Sequence, residues 1–290
     1  MRNPHFFSAL LSTLLIGIFM QASVAQTNPP KVEATYGQGA KSFKLATGSP
    51  GELGLLQQLG EAFDKKEDAR LVWIKAGSGA SLNLLKTQQV DMIMVHAPEG
   101  VNKAISEGWA TGRTLIGSNE FYIVGPKADL AKIKSASSGA DAYVKIAKAQ
   151  TNFISRGDKS GTHQKEMDIW KKAGITPEGS WYIVTNDFMT ASLKRASADK
   201  AYFMTDSSTW VAEKNIAPEL QILYRGDPYL VNTYDALVAP VGATENRDIA
   251  AKFINFVTSD EGQAIIRNYG KAQYKEALYN DAVYAKQYVR

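Results

Sequence analysis

The sequence predicts an α/β protein of two lobes, with a ligand cleft between them and two crossing strands joining them. Three observations predict it. Strand, polar small-residue turn and helix alternate from residue 42 onward, the rhythm of a sheet flanked by helices. Strand-to-helix turns at 47–51, 77–81, 155–162 and 205–209 are rich in Gly, Ser and Thr. Extended passages near 121–126 and 221–238 divide the alternation into a first lobe (41–125 with 221–290) and an inserted second lobe (126–220).

With 290 residues and 44% hydrophobic content, the chain is long enough for a core in each lobe. Its 33 basic and 29 acidic residues leave a net charge of +4, mixed along the chain without a basic arm. Nucleic acid is therefore not an expected partner. Residues 1–25 read as a signal peptide: Arg2 near the start, a mostly apolar stretch from Phe6 to Met20, and Ser23-Val24-Ala25 before Gln26. That stretch is short for a membrane span, so export with cleavage is expected, and a periplasmic location with it. Cysteine is absent, which excludes disulfides, thiol chemistry and cysteine-zinc sites. Residues 26–40 read as a flexible lead-in.

The first strand, Ser42 to Leu45, runs into Ala46-Thr47-Gly48-Ser49-Pro50-Gly51-Glu52. There Ser49 as N-cap, Pro50 at the first helical position and Glu52 predict a capping box. Leu53, Leu56, Leu59 and Phe63 follow at helical spacing and belong to the core. Residues 70–74 form the next strand, 76–81 a turn opening a helix, and 91–95 a strand stopping at His96-Ala97-Pro98. In the second lobe, 153–155 is a strand that feeds a helix through Met167, Trp170 and Ala173. Residues 201–205 form another strand, which delivers Asp206 to the last of the four turns. Amphipathic helices near 249–258 and 261–269 close the chain, with tail tyrosines packed on the first lobe.

Each turn offers backbone amides and a hydroxyl. The first amides of a helix have no partner within it and carry partial positive charge, which suits an anion. Each such start contributes about 0.3–1 kcal/mol to a nearby anion, and a charged hydrogen bond about 1.5–3 kcal/mol. Thr47, Gly48, Ser49, Ser78, Gly79, Ser160, Gly161 and Thr162 are the expected neutral donors, and Arg156 the fixed cation with a planar fork. Asp206 and Ser207 complete the candidate set, Asp206 as the acceptor that a protonated anion would need. The plainer alternative at 155–162 is an ordinary capped helix whose Arg156 pairs with Asp158.

Catalysis finds little support. His5 leaves with the leader, His96 follows a strand, and His163 sits in a first helical turn. Neither an H-E-x-x-H metal pair nor a G-x-S-x-G nucleophile elbow occurs, and dinucleotide and phosphate-loop fingerprints are missing. No catalytic residue, metal or cofactor is expected. A serine hydrolase built on Ser160 and His163 stands as the rival from another class.

Residues 155–163 read Ser-Arg-Gly-Asp-Lys-Ser-Gly-Thr-His, 91–98 read Asp-Met-Ile-Met-Val-His-Ala-Pro, and 226–234 read Gly-Asp-Pro-Tyr-Leu-Val-Asn-Thr-Tyr. Together they resemble the S-R-G-D-x-S-G-T-H, D-V-x-x-V-H-A-P and G-D-P-x-L-x-N-x-Y segments of the tungstate-binding periplasmic proteins of ABC importers. That resemblance implies the two-lobed type II periplasmic binding fold and capture of a small oxyanion, tungstate or molybdate favoured. It also implies delivery to ABC importer membrane subunits by a monomer. Two loops depart from the family: Ala46-Thr47-Gly48-Ser49 stands where it reads T-T-T-S, and Thr205-Asp206-Ser207-Ser208-Thr209 where it reads T-D-R-G-T. A small carboxylate or other organic ligand is the rival within binding, and a sensor's ligand subunit the rival to a transporter's.

Overall fold

The computed structural model describes Met1 and residues 29–289; the rest of the expected signal peptide and the first residues of the lead-in lie outside the described residues. The chain opens with β1 (Ala34–Tyr36), β2 (Lys41–Thr47), α1 (Ser49–Glu52), α2 (Leu55–Glu67) and β3 (Ala69–Lys75). It continues through α3 (Ser78–Lys86), β4 (Met92–Val95), α4 (Pro98–Ser106) and β5 (Thr111–Pro126). Then come α5 (Gly139–Ala149), β6 (Phe153–Ser155), α6 (Gly161–Lys172), β7 (Tyr182–Val184), α7 (Met189–Ala198), β8 (Tyr202–Asp206) and α8 (Ser207–Glu213). The return runs through β9 (Leu220–Tyr224), β10 (Val231–Val238), α9 (Arg247–Thr258) and α10 (Asp260–Asn268).

The strands follow the order β1-β3-β2-β4-β10-β5-β8-β6-β7, with β9 also on β5. In the first half β2 lies parallel between β3 and β4, as helix crossovers require. In the second half β6 lies parallel between β7 and β8. One strand belongs to both. At 16 residues, β5 is about 50 Å long. It pairs β10 from Thr111 to Glu120 and then β8 from Phe121 to Val124. The chain thus crosses between lobes along β5 and returns along β10, and these antiparallel strands form the hinge.

Each half has apolar layers on both faces. Phe43, Leu56, Leu59, Phe63 and Phe253 fill one side of the first half, and Ile74, Leu82, Val95 and Val101 the other. Tyr143, Phe153, Trp170 and Tyr202 lie on one side of the second half, opposite Leu193, Phe203 and Trp210. At about 25 cal/mol per Å² of apolar surface, these layers hold each sheet to its helices.

Local readings need correction in places. Part of the expected flexible lead-in is an edge strand: Ala34–Tyr36 pairs antiparallel with β3 through Tyr36↔Leu71. Leu220–Tyr224, at the expected start of the return, pairs antiparallel with the end of β5 through Val124↔Ile222. The capping box does not form. Gly48, not Ser49, is the N-cap of α1, and Glu52 reaches out to Lys75 Nζ at 2.7 Å. The leucine helix breaks at Gly54 (φ +86°), where Tyr269 Oη donates to Leu53 O.

Candidate functional site

Six chain segments converge at the floor of the interlobe cleft. From the first lobe come the start of α1, the start of α3 and the end of β4; from the second come the β6–α6 turn and the residue before α7; and β10 runs beneath. They enclose a cavity of about 10 Å³, room for one water-sized sphere. Of the expected residues, Gly48, Ser49, Ser78, Arg156 and Ser160 line it. Gly77, in the expected 77–81 turn, lines it too, and so do His96, Phe188 and Tyr234, which were not among the expected residues. His96 arrives at a strand end and Tyr234 inside β10, positions with no turn chemistry to mark them.

Arg156 is 5% exposed, and its guanidinium is fixed on two sides. Nε donates to Asp187 O at 3.1 Å and Nη2 to Asp158 Oδ2 at 2.5 Å. The plainer expectation, an Arg156–Asp158 pair, is therefore met, yet the pair stands in the cavity wall. Asp158 Oδ1 also accepts from Ser160 N at 3.1 Å. Ser160 caps α6, its Oγ accepting from His163 N at 3.3 Å. The amides of Gly161 and Thr162 remain outside these bonds, as do those of Ser78 and Gly79 at the start of α3.

The two helix starts face each other at a distance that glycine alone permits. A Cβ on Gly79 would stand 2.7 Å from Lys159 O, and one on Gly161 2.5 Å from the His96 ring. Gly79 and Gly161 thus set the closeness of the jaws and are not themselves in the cavity lining.

Other expected ligand residues have different work. Thr47 Oγ1 donates to Met94 O at 2.9 Å, a buried bond that ties β2 to β4. Thr162 is buried behind the lining. Asp206 is the N-cap of α8: Oδ1 accepts from Thr209 N at 2.8 Å and Asn119 Nδ2 at 3.2 Å, and Oδ2 from Thr209 Oγ1 at 2.8 Å. Ser207 Oγ accepts from Glu120 N at 3.1 Å. Neither Asp206 nor Ser207 reaches the cavity.

The electrostatics are self-contained. Glu52 pairs with Lys75, and Lys75 Nζ sits 4.4 Å above the Phe188 ring, reaching from the first lobe to the second. His96 Nδ1 lies 3.0 Å from Asn232 Oδ1, and its ring packs 4.9 Å from Tyr234. Burial, aided by Arg156, pulls the His96 pKa down to about 4, so the ring is neutral near pH 7. In the second lobe, burial raises Glu166 to about 7 although Tyr182 Oη donates to it at 2.6 Å.

This geometry disfavours the hydrolase reading. Ser160 Oγ accepts from the His163 amide, and His163 Nδ1 accepts from Lys159 N at 3.1 Å, so these two residues form no hydroxyl–imidazole pair. Among the described residues no cluster of His, Asp or Glu could hold a metal ion, and no helix is long and apolar enough to cross a membrane.

Two α/β lobes on crossing strands, with helix starts and a buried arginine turned onto one interlobe cavity, define a type II periplasmic binding protein. The chain belongs to the PBP superfamily, whose domain matches residues 28–261. It is 30% identical over 282 residues to the tungstate-binding protein TupA of Peptoclostridium acidaminophilum, covering 95% of this chain and 97% of that one. To the tungstate-binding protein TupA of Campylobacter jejuni it is 34% identical over 214 residues, 72% of this chain and 79% of the other. The crystal structure of the tungstate ABC transporter from Geobacter sulfurreducens superposes with a TM-score of 0.73 at 36% identity, covering 80% of this chain and all of that one.

Proposed function

We propose that the chain captures a small oxyanion in the periplasm, with tungstate or molybdate favoured, and delivers it to the membrane subunits of an ABC importer. One observation carries the reading: a buried guanidinium and the starts of two helices from opposite lobes meet at one cavity. Arg156 supplies charge there. Ser49, Ser78 and Ser160, which line it, supply neutral donors for the anion's oxygens. Relatives named for tungstate binding support the ligand class.

The cavity is smaller than a tetrahedral oxyanion, so the lobes part to admit it and reclose on a slightly wider spacing. Asp206, the acceptor expected for protonated phosphate, is consumed by its own helix. Titration calorimetry against tungstate, molybdate, sulfate and phosphate tests the reading. Heat with the metalates and none with sulfate is expected; absence of heat with both metalates would remove the ligand assignment.

A further inference from the structure

Four side chains form a continuous hydrogen-bond relay from the second lobe, through both hinge strands, to the cleft floor. Asp206, at the end of β8, accepts from the Thr209 amide and so is an acceptor. Asn119 on β5 must therefore point its amide nitrogen at Asp206, at 3.2 Å, and its oxygen elsewhere. That oxygen accepts from Asn232 Nδ2 at 2.7 Å; the two asparagines are direct partners in the β5–β10 ladder. Asn232 is left with Oδ1 turned to His96 Nδ1 at 3.0 Å. The direction of every bond follows from the first. His96 carries its proton on Nδ1, and Nε2 is a bare lone pair with no partner among the described residues.

The charge count of the cavity makes that lone pair consequential. Its charged lining residues are Arg156 and Glu52, and each is paired, with Asp158 and Lys75. A dianion entering meets donors but no net positive charge, and an uncompensated charge in a buried site is expensive. We propose that His96 supplies the missing cation: on capture of a dianion, Nε2 takes one proton from solvent, and the relay holds the resulting imidazolium through Nδ1. This rests on the oxyanion reading above.

The groups facing His96 agree with it. Arg156 and Asp158, on the β6–α6 turn, oppose and favour its protonation respectively, and Lys165 on α6 opposes it. Tyr234 on β10 stays a neutral phenol, its pKa raised by burial. Burial and Arg156 keep the ring neutral before the anion arrives, with a pKa of about 4. A dianion beside it reverses the balance, so capture and protonation are linked.

The test is calorimetry with tungstate between about pH 6 and 8 in buffers of differing ionisation enthalpy. Buffer-dependent heat amounting to nearly one proton taken up per anion is expected, with affinity falling up to about tenfold per pH unit as pH rises. In His96→Gln the uptake vanishes and the slope flattens. Buffer-independent heat in the parent chain, or uptake that persists in His96→Gln, overturns the proposal and leaves oxyanion capture standing. Absence of binding by every anion overturns both. Should the variant not fold, nitrogen NMR of the parent decides: Nε2 of His96 moves from the imine to the protonated range on adding tungstate, and an unmoved resonance overturns the proposal. A chain starting at Gln26 has two histidines, so His163→Gln assigns the signals.

Discussion

Removing the guanidinium of Arg156 does two things at once. It deletes the fixed cation of the site, and it leaves Asp158 as an unpaired carboxylate in the wall. A charged hydrogen bond is worth about 1.5–3 kcal/mol, so Arg156→Ala should weaken oxyanion binding by about ten- to a hundredfold or more. Adding Asp158→Asn should recover part of that loss, because the repulsion goes with the charge; calorimetry on both variants measures the split. Affinity that survives Arg156→Ala would move the site elsewhere. At this scale the sequence was legible where turn chemistry speaks for itself. Arg156, Ser160 and Ser78 lie beside helix starts and line the cavity. It was not legible at Thr47 and Asp206, since a polar residue before a helix serves a ligand and a local bond equally well until packing decides. His96, Phe188 and Tyr234 reach the cavity through strand pairing and lobe closure, which no local pattern encodes.

Among the elements, the opposed starts of α3 and α6 set how tightly the jaws meet. Gly161 lies in the first turn of α6, where Ala is intrinsically favoured by up to about 1 kcal/mol. A methyl there meets the His96 ring. Gly161→Ala should therefore leave the thermal midpoint of the ligand-free chain unchanged or slightly higher while lowering oxyanion affinity at least about tenfold. Scattering should show lobes held further apart. A midpoint that drops together with affinity would make Gly161 a folding residue instead. Helices and strands were readable from periodicity, but the break at Gly54 and the edge strand at Ala34–Tyr36 were not. The first depends on Tyr269 docking from far along the chain, the second on a partner strand that follows it.

Across the whole molecule, two groups with shifted pKa values act on stability in opposite directions. Glu166 has its folded pKa raised from 4.5 to about 7, so its neutral form is favoured in the fold. Its stabilising share is whole below about pH 4.5 and fades as pH rises to about 7, by about 3 kcal/mol. His96 has its folded pKa lowered from 6.5 to about 4. Its share is lost on acidification through the same interval and regained on the way up, by a similar amount of about 3 kcal/mol. The ligand-free chain should thus show a nearly level melting temperature from about pH 4.5 to 6.5, the two trends offsetting. Glu166→Gln unmasks the histidine, and its midpoint should climb with pH over that span. A profile as level as the parent's would show that Glu166 is not shifted.

The pairing of each cleft cation with a carboxylate of its own also bears on how fast the protein loads. Steered association draws on an unbalanced field and collapses as salt screens it. Here Arg156 with Asp158, and Lys75 with Glu52, are close dipoles whose influence fades within a few ångströms. Stopped-flow association rates for tungstate should change less than about threefold between roughly 10 mM and 0.3 M sodium chloride. A scavenger built this way loads at the same pace in dilute and in saline surroundings, whatever the ionic swings outside the cell.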